Sequence, residues 1–105
     1  MQQHTEILAQ IKIQVQAILP NSELMLFGSR ARNENSNDSD YDILVITENL
    51  MSVNIKRDFR TKIRKALLKI NILSDILIES KNEINIKKKL PGHIIKNAII
   101  EGVKI

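Results

Sequence analysis

The chain has 105 residues, a net charge of +4 and no cysteine, and 43% of its residues are apolar. That length allows a single domain, 1–105, with one core, and the lack of cysteine excludes disulfides and thiolate metal sites. No apolar run is long enough to span a membrane and the first ten residues do not resemble a secretion signal, so we expect a cytoplasmic protein. Aromatic residues make up only 3% of the chain, so we do not expect direct nucleic-acid binding through base stacking.

The first third of the chain predicts a helix, a strand and a loop. Apolar residues at steps of three and four predict a helix over 3–19, which the Pro20–Asn21 pair ends. The short apolar run at 24–27 predicts a buried strand that stops at Gly28. A polar loop follows over 29–39, with room for one helical turn.

The remainder continues the alternation of strands and helices. A second apolar run predicts a strand over 41–47, and helical spacing predicts a helix over 52–70. A third apolar run, 72–78, predicts another strand, and residues 82–102 predict a helix in two pieces, broken at Pro91–Gly92.

Gly102 is well placed to cap the last of these helices. The whole order predicts a compact α/β (α+β) domain, in which a small mixed sheet of about three core strands is covered by helices.

Two aspartates flank Tyr41 at the start of the second predicted strand. Because side chains alternate along a strand, Asp40 and Asp42 project from the same face. Two neighbouring anions raise each other's pKa unless a cation lies between them, and carboxylate oxygens suit Mg²⁺. A turn that caps the strand explains Asp40 as well, but it explains Asp42 poorly, since the apolar run 43–46 follows at once. Taken alone, the pair leaves the metal and the structural interpretations equally open.

A calcium-binding loop is excluded. Asp38, Asp40 and Asp42 have the first three ligand spacings of an EF-hand, but that loop needs glycine at its sixth position and glutamate at its twelfth. Ile43 and Asn49 stand there instead.

Two further features carry potential chemistry. Gly28 and Ser29 follow the first strand, where exposed N–H groups can hold phosphate. Taken alone, however, the pair is better explained by an ordinary turn, and the spacing is not that of a P-loop. Asp75 is the one charged residue in the third apolar run. An unpaired buried carboxylate is costly, so Asp75 either lies near solvent at the strand end or joins a metal site. Glu79 is an alternative third carboxylate, but it lies at the polar end of the strand, where solvation accounts for its charge.

Taken together, these residues resemble the nucleotidyltransferase superfamily whose best-known member is DNA polymerase beta. The family pattern is Gly-Ser, ten residues, Asp-x-Asp and a distant third Asp. Here Gly28-Ser29, residues 30–39 and Asp40-Tyr41-Asp42 match it, with Asp75 at the place of the third. The resemblance covers almost the whole chain.

The resemblance implies a nucleotidyltransferase fold and in-line transfer of a nucleoside monophosphate from ATP, with two Mg²⁺ ions as cofactors. It implies three carboxylates that are both catalytic and metal-binding, namely Asp40, Asp42 and Asp75. It implies a site for the ATP phosphates at Gly28, Ser29 and Arg30, with Arg32 as an alternative cation.

The short length is similar to that of the minimal nucleotidyltransferases, which are commonly paired with a HEPN-domain protein. In such toxin–antitoxin pairs the minimal protein is the antitoxin and transfers AMP to a tyrosine of the HEPN ribonuclease. The resemblance therefore implies a protein adenylyltransferase whose acceptor is presented by a HEPN toxin. The alternatives are a catalytically silent, partner-binding antitoxin module and a transferase acting on a small molecule or RNA. A homo- or hetero-oligomer is compatible with each of these.

Overall fold

A four-stranded sheet with helices on both faces forms the body of the protein. The computed structural model describes the backbone of residues 2–105 and the side chains of residues 5–105. In chain order the elements are α1 (Gln2–Ile18), β1 (Glu23–Phe27), α2 (Gly28–Ala31), β2 (Tyr41–Thr47), α3 (Val53–Leu68), β3 (Ser74–Ser80), α4 (Lys81–Lys87), α5 (Ile94–Glu101) and β4 (Val103–Lys104). This confirms the predicted α/β architecture, with one strand more than expected. None of the helices within residues 2–105 is long and apolar enough to cross a membrane.

The sheet is mixed, and its strands lie in the order β3-β2-β1-β4. β1 runs antiparallel to both β2 and β4, whereas β2 and β3 are parallel. A parallel pair needs a crossover connection, which α3 supplies. Because β2 and β3 are parallel, they begin at the same edge of the sheet, and the segments that precede them meet there.

The sheet is covered on both faces, which explains the almost uninterrupted apolar run of β2. Alternate side chains of β2 point to opposite faces. Ile43 and Val45 pack with α1 and α3, whereas Leu44 and Ile46 pack with α4 and α5. We name these two sides the α1/α3 face and the α4/α5 face. All four side chains are at most 8% exposed.

The third strand is shifted relative to the prediction: it spans 74–80 rather than 72–78. The reason is the way in which α3 ends, two residues before the predicted position. The N–H groups of Asn71 and Ile72 each donate to a carbonyl in the last turn of α3 at 3.0 Å, and Asn71 has a φ of 64°. These are the bonds of a Schellman motif. Ile72 therefore packs in the core as part of the helix terminus, and the strand begins after it.

The other predicted boundaries agree to within one or two residues, except that α4 ends at Lys87, three residues before the predicted break. The first helix ends at Ile18, and β2 spans the predicted 41–47. The polar loop does contain one helical turn, α2, which begins at Gly28. The Pro91–Gly92 break separates α4 from α5.

Gly102 ends α5, as predicted, but for a different reason. Its φ is −70°, so the backbone is not left-handed. A Cβ at this position would collide with the carbonyl oxygen of Ala98 and lie 2.8 Å from Cε of Met25. Glycine is needed here for close packing, which lets the next residue, Val103, pair with Leu26 of β1. The prediction missed β4 because two residues are too few to show an alternating pattern.

A half-buried ion network joins α3, β3 and α4. Nζ of Lys56 donates to Glu83 at 2.6 Å and lies 3.6 Å from Glu79, to which Lys87 donates at 2.8 Å. Glu83 also accepts from the N–H of Ser80 in the capping box that starts α4. Burial acts to raise the pKa of Glu83, but the hydrogen bonds from Lys56 and Ser80 outweigh it and hold that pKa below its ordinary 4.5.

We expect Glu83→Gln to lower the free energy of unfolding by about 1–3 kcal/mol at neutral pH, because Lys56, in a half-buried position, loses the nearer of its two carboxylate partners. Since the folded-state pKa lies below the unfolded value of 4.5, the carboxylate stabilises the protein above that pH. The contribution is lost as the pH falls through the folded-state pKa. Urea unfolding of both proteins across the acid range measures this.

Glu48→Gln is the matched control. Glu48 pairs with Lys81 at the same 2.6 Å, but their side chains are 62% and 48% exposed, so solvent screens the pair and we expect little change. The interpretation is wrong if both variants lose the same stability, or if the loss in Glu83→Gln does not shrink at acid pH.

Candidate functional site

The residues of the sequence motif lie at one edge of the sheet. Phe27, at the end of β1, pairs with Asp42 of β2, and Asp42 pairs with Asp75 of β3. Cα partners in a ladder point to the same side of the sheet, and for these aspartates it is the α4/α5 face. Leu44, which lies two residues after Asp42 on the same face of β2, is fully buried. Asp42 itself is half-buried, and Asp75 is exposed. The two carboxylates therefore lie where the helical cover of this face ends.

Asp42 carries an unfavourable charge. Burial raises its pKa above the ordinary 3.8, and the neighbouring carboxylates of Asp75 and Asp40 raise it further. Arg32 acts in the opposite direction, and Glu101 adds a smaller upward effect. The carboxylate thus lies in an environment that disfavours a negative charge as long as no cation is near.

Asp40 precedes β2 in an exposed part of the loop. It is close enough to raise the pKa of Asp42, so all three predicted acids occupy one region. Within residues 5–105, however, no three His, Asp or Glu side chains converge tightly enough to enclose a metal ion. Mutual repulsion keeps carboxylates apart when no cation is present. The metal-ligand role of Asp40, Asp42 and Asp75 therefore stays a prediction.

The backbone of Gly28 packs directly against the side chain of Asp42. Its φ is +74°, a region that L side chains rarely adopt, and a Cβ there would collide with Oδ2 of Asp42. The next residue, Ser29, is half-buried, and its carbonyl accepts the N–H of Glu34 at 2.9 Å as α2 ends. The glycine thus permits both the turn and the close approach of the carboxylate to the backbone.

Arg30 donates its hydrogen bonds to carbonyl oxygens of the loop. Its Nε and Nη2 donate to the carbonyl oxygen of Ser39 at 2.9 and 2.8 Å. Its guanidinium lies 4.0 Å from the centre of the Tyr41 ring, which belongs to the core of the α1/α3 face. The expected contact of Arg30 with phosphate stays a prediction, and these bonds compete with it.

Arg32 faces the other way. It forms ion pairs with Glu34 at 3.2 Å and with Glu101 of α5 at 2.9 Å, and it acts on the charge of Asp42. Sequence reasoning named Arg32 only as an alternative cation and did not include Glu101 in the site. No local spacing signals Glu101, because the fold brings it there from the far end of the chain.

The donor chemistry of this edge fits Mg²⁺. Three carboxylates offer hard oxygen ligands of the type that this ion prefers. The pKa of Asp42 is raised first by burial and then by its anionic neighbours, and a bound cation would offset both effects. The residues present therefore fit the predicted metal.

We expect Gly28→Ala to destabilise the protein more than Gly92→Ala. Both glycines have positive φ, 74° and 72°, so both variants incur the cost of a left-handed alanine, about 1–2 kcal/mol. Only at Gly28 does the new Cβ collide with Asp42, whereas around Gly92 nothing in the described chain lies within 4 Å. We expect an additional loss of about 1 kcal/mol or more from overpacking. If urea unfolding gives the same loss of stability for both variants, Asp42 does not pack against Gly28.

We expect Asp42→Asn to raise the free energy of unfolding of the cation-free protein at neutral pH. The amide keeps the shape of the side chain and removes the charge that burial and the neighbouring carboxylates disfavour. The gain is on the order of 1 kcal/mol or less, because the side chain is partly solvated.

Since the folded-state pKa of Asp42 is raised, the gain should fade as the pH drops towards 3.8 and the carboxyl becomes protonated. Asp58→Asn, on the exposed surface of α3, is the control and should show no such gain in stability. A loss of stability in Asp42→Asn would mean that favourable contacts hold this carboxylate.

Comparison with known proteins agrees with this geometry. A family model described as a nucleotidyltransferase domain matches residues 8–105, from within α1 to the end of the chain. No curated protein matches the chain significantly. The family match contains Gly28, Asp42 and Asp75, the residues that meet at the edge of the sheet. The protein belongs to the nucleotidyltransferase domain family.

Proposed function

We propose that the protein is a Mg²⁺-dependent adenylyltransferase that moves AMP from ATP to a tyrosine hydroxyl of a protein partner. The observation that carries this proposal is the parallel pairing of Asp42 with Asp75 above Gly28. It joins the two parts of the family motif on one face of the sheet. Carboxylates from two strands beside an open backbone turn suit the transfer of a phosphoryl group that is held by metal ions.

Asp40, Asp42 and Asp75 would hold Mg²⁺. When bound, the ions would neutralise the triphosphate and polarise the attacking oxygen. The unfavourable charge of Asp42 supports this assignment, because the two neighbouring carboxylates that disfavour it would share the cation.

In the proposed reaction the acceptor oxygen forms a bond to the α-phosphorus of ATP. The bond from that phosphorus to the bridging oxygen breaks, and pyrophosphate leaves with its electron pair. Asp75 is exposed, so an acceptor can approach it, and its carboxylate takes the proton of the acceptor hydroxyl. A tyrosine hydroxyl has a pKa of about 10 and needs such a base at neutral pH.

The β- and γ-phosphates would lie against the backbone of Gly28 and Ser29, with Arg32 as the cation. The side chain of Arg32 already acts on the charge of Asp42, whereas Arg30 is bonded to loop carbonyls on the other side of the sheet. An incoming phosphate would take the place of Glu101, which now pairs with Arg32.

Apolar side chains beside the site support a protein acceptor. Ile86, Leu90 and Ile94 are 65%, 45% and 51% exposed, and they lie on or between the helices that cover the carboxylate-bearing face. Ile100, next to Glu101, is 73% exposed. Exposed apolar side chains that lie close together are typical of protein contacts. We infer that a HEPN-type ribonuclease toxin docks here and offers its tyrosine, so that this chain acts as the antitoxin.

We expect the purified protein, given ATP and Mg²⁺, to add the mass of AMP to a co-expressed HEPN partner. Asp42→Asn should slow the transfer at least about a hundredfold, as loss of a group that stabilises the transition state usually does. Asp58→Asn is the control for the loss of a negative charge outside the site and should react normally. Intact-mass analysis of the partner, together with pyrophosphate release, measures both variants.

Two results would contradict the proposal. If the partner is neutralised equally well by Asp42→Asn and keeps its unmodified mass, the protein acts by binding alone. If pyrophosphate is released while the mass of the partner is unchanged, nucleotidyl transfer is retained and the acceptor is a different molecule.

A further inference from the structure

Arg30 holds both neighbours of Asp40 in the chain. Ser39, the residue before Asp40, accepts two hydrogen bonds from Arg30 through its carbonyl oxygen, at 2.9 and 2.8 Å. Tyr41, the residue after it, has its ring 4.0 Å below the guanidinium. The same Nη2 also lies 3.4 Å from the carbonyl oxygen of Asn37. One side chain thus contacts the residues on either side of a predicted metal ligand, through the backbone of Ser39 and the ring of Tyr41.

We propose that Arg30 is a positioning residue, which places Asp40 beside Asp42 by organising the loop 33–40, and that it is not a phosphate ligand. The inference rests on the proposed function for the metal-binding role of Asp40. It assigns to Arg30 a task that the motif itself does not indicate.

The loop needs such an anchor. Residues 32–38 are exposed. Ser36 bonds with Asn35 and Ser39 within the loop itself, and its carbonyl oxygen also lies 3.5 Å from Nη2 of Arg30. An exposed polar loop with few bonds to the body of the protein samples many conformations. Arg30 connects its C-terminal half to α2 and to the core, so the position of Asp40 depends on this side chain.

Arginine is suited to this task in a way that lysine is not. Its planar fork directs Nε and Nη2 to one carbonyl oxygen while its flat face rests on the Tyr41 ring. Lysine keeps the charge but has neither the fork nor the flat face. Arg30→Lys therefore separates geometry from charge.

The position of Arg30 also argues against phosphate binding. Tyr41, on which it stacks, points to the α1/α3 face, whereas Asp42 and Asp75 point to the α4/α5 face. Arg30 lies on the helical turn α2 and Arg32 caps its C-terminal end, and residues two apart in helical backbone do not face the same side. To reach a triphosphate beside Asp42, Arg30 would have to give up its bonds to Ser39.

The spectroscopic test uses Tyr41, which is the only tyrosine in a chain without tryptophan. We expect acrylamide to quench its fluorescence more strongly in Arg30→Lys, because the guanidinium no longer covers the ring. The control is Arg57→Lys, at an exposed arginine of α3 whose side chain donates to Asn54, and its quenching should match that of the natural protein. Unchanged quenching in Arg30→Lys overturns the proposal.

The binding test uses Mn²⁺ with a non-hydrolysable ATP analogue, followed by water-proton relaxation. We expect Arg30→Lys to bind Mn²⁺ about tenfold more weakly, as loss of a residue that orients a metal ligand usually causes. At saturating Mn²⁺ the affinity for the analogue should be unchanged, and Arg57→Lys should behave normally in both measurements.

Three outcomes would overturn the inference or its basis. If the affinity for the analogue falls at saturating Mn²⁺, Arg30 is a phosphate ligand. If quenching rises but Mn²⁺ binding is unchanged, Arg30 holds the loop without positioning Asp40. If the natural protein binds no Mn²⁺ with the analogue, the proposed function fails and the metal role of Asp40 fails with it, whereas the quenching result still shows whether Arg30 holds the loop.

Discussion

The parallel register of β2 and β3 is the constraint on which the rest of this site depends. It makes Asp42 and Asp75 Cα partners, although they come from distant parts of the chain. A parallel pair requires the crossover helix α3, and it makes both strands start at one edge of the sheet. The β1–β2 hairpin brings Phe27, and with it Gly28, to the same edge. A slip of one residue would turn Asp75 towards the opposite face.

Grouping these acids has an energetic cost. Asp42 lies next to the apolar cover of α4 and α5, and two other carboxylates raise its pKa. The protein tolerates this because the sheet on either side of the acids is packed with side chains that are almost fully buried. Functional sites often retain unfavourable interactions of this kind, which a ligand then relieves. The ligand that we propose here is a divalent cation with a triphosphate.

The two arginines after the Gly-Ser pair are only two residues apart, yet they make different contacts. Arg30 turns towards Tyr41 and the loop carbonyls, whereas Arg32 turns towards Glu101 and the carboxylates. The difference follows from the helical turn α2 and its cap Arg32, because residues two apart in helical backbone point in different directions. A single turn of helix therefore separates the arginine that contacts the loop from the one that acts on the charge of Asp42.

Much of this protein could be predicted from local patterns. The helices, the three longer strands and the fold class follow from apolar periodicity, which depends only on near neighbours in the chain. The pairing of Asp40 with Asp42 follows from the two-residue repeat of a strand, and the Gly-Ser spacing indicated the family to which the chain belongs. The start of β3 was predicted two residues too early, because Asn71 ends α3 with a motif that apolar periodicity does not reveal.

The sequence by itself thus determined most of the elements, the fold class and the motif that indicates the family. Only the tertiary structure decided that Asp75 pairs with Asp42, that Glu101 reaches Arg32, that β4 joins the sheet and that Arg30 holds the loop. The physical reason is the same in each case. These contacts join residues through strand register, helix termini and close backbone approach, and all three depend on how separate segments pack together rather than on the pattern within any one of them.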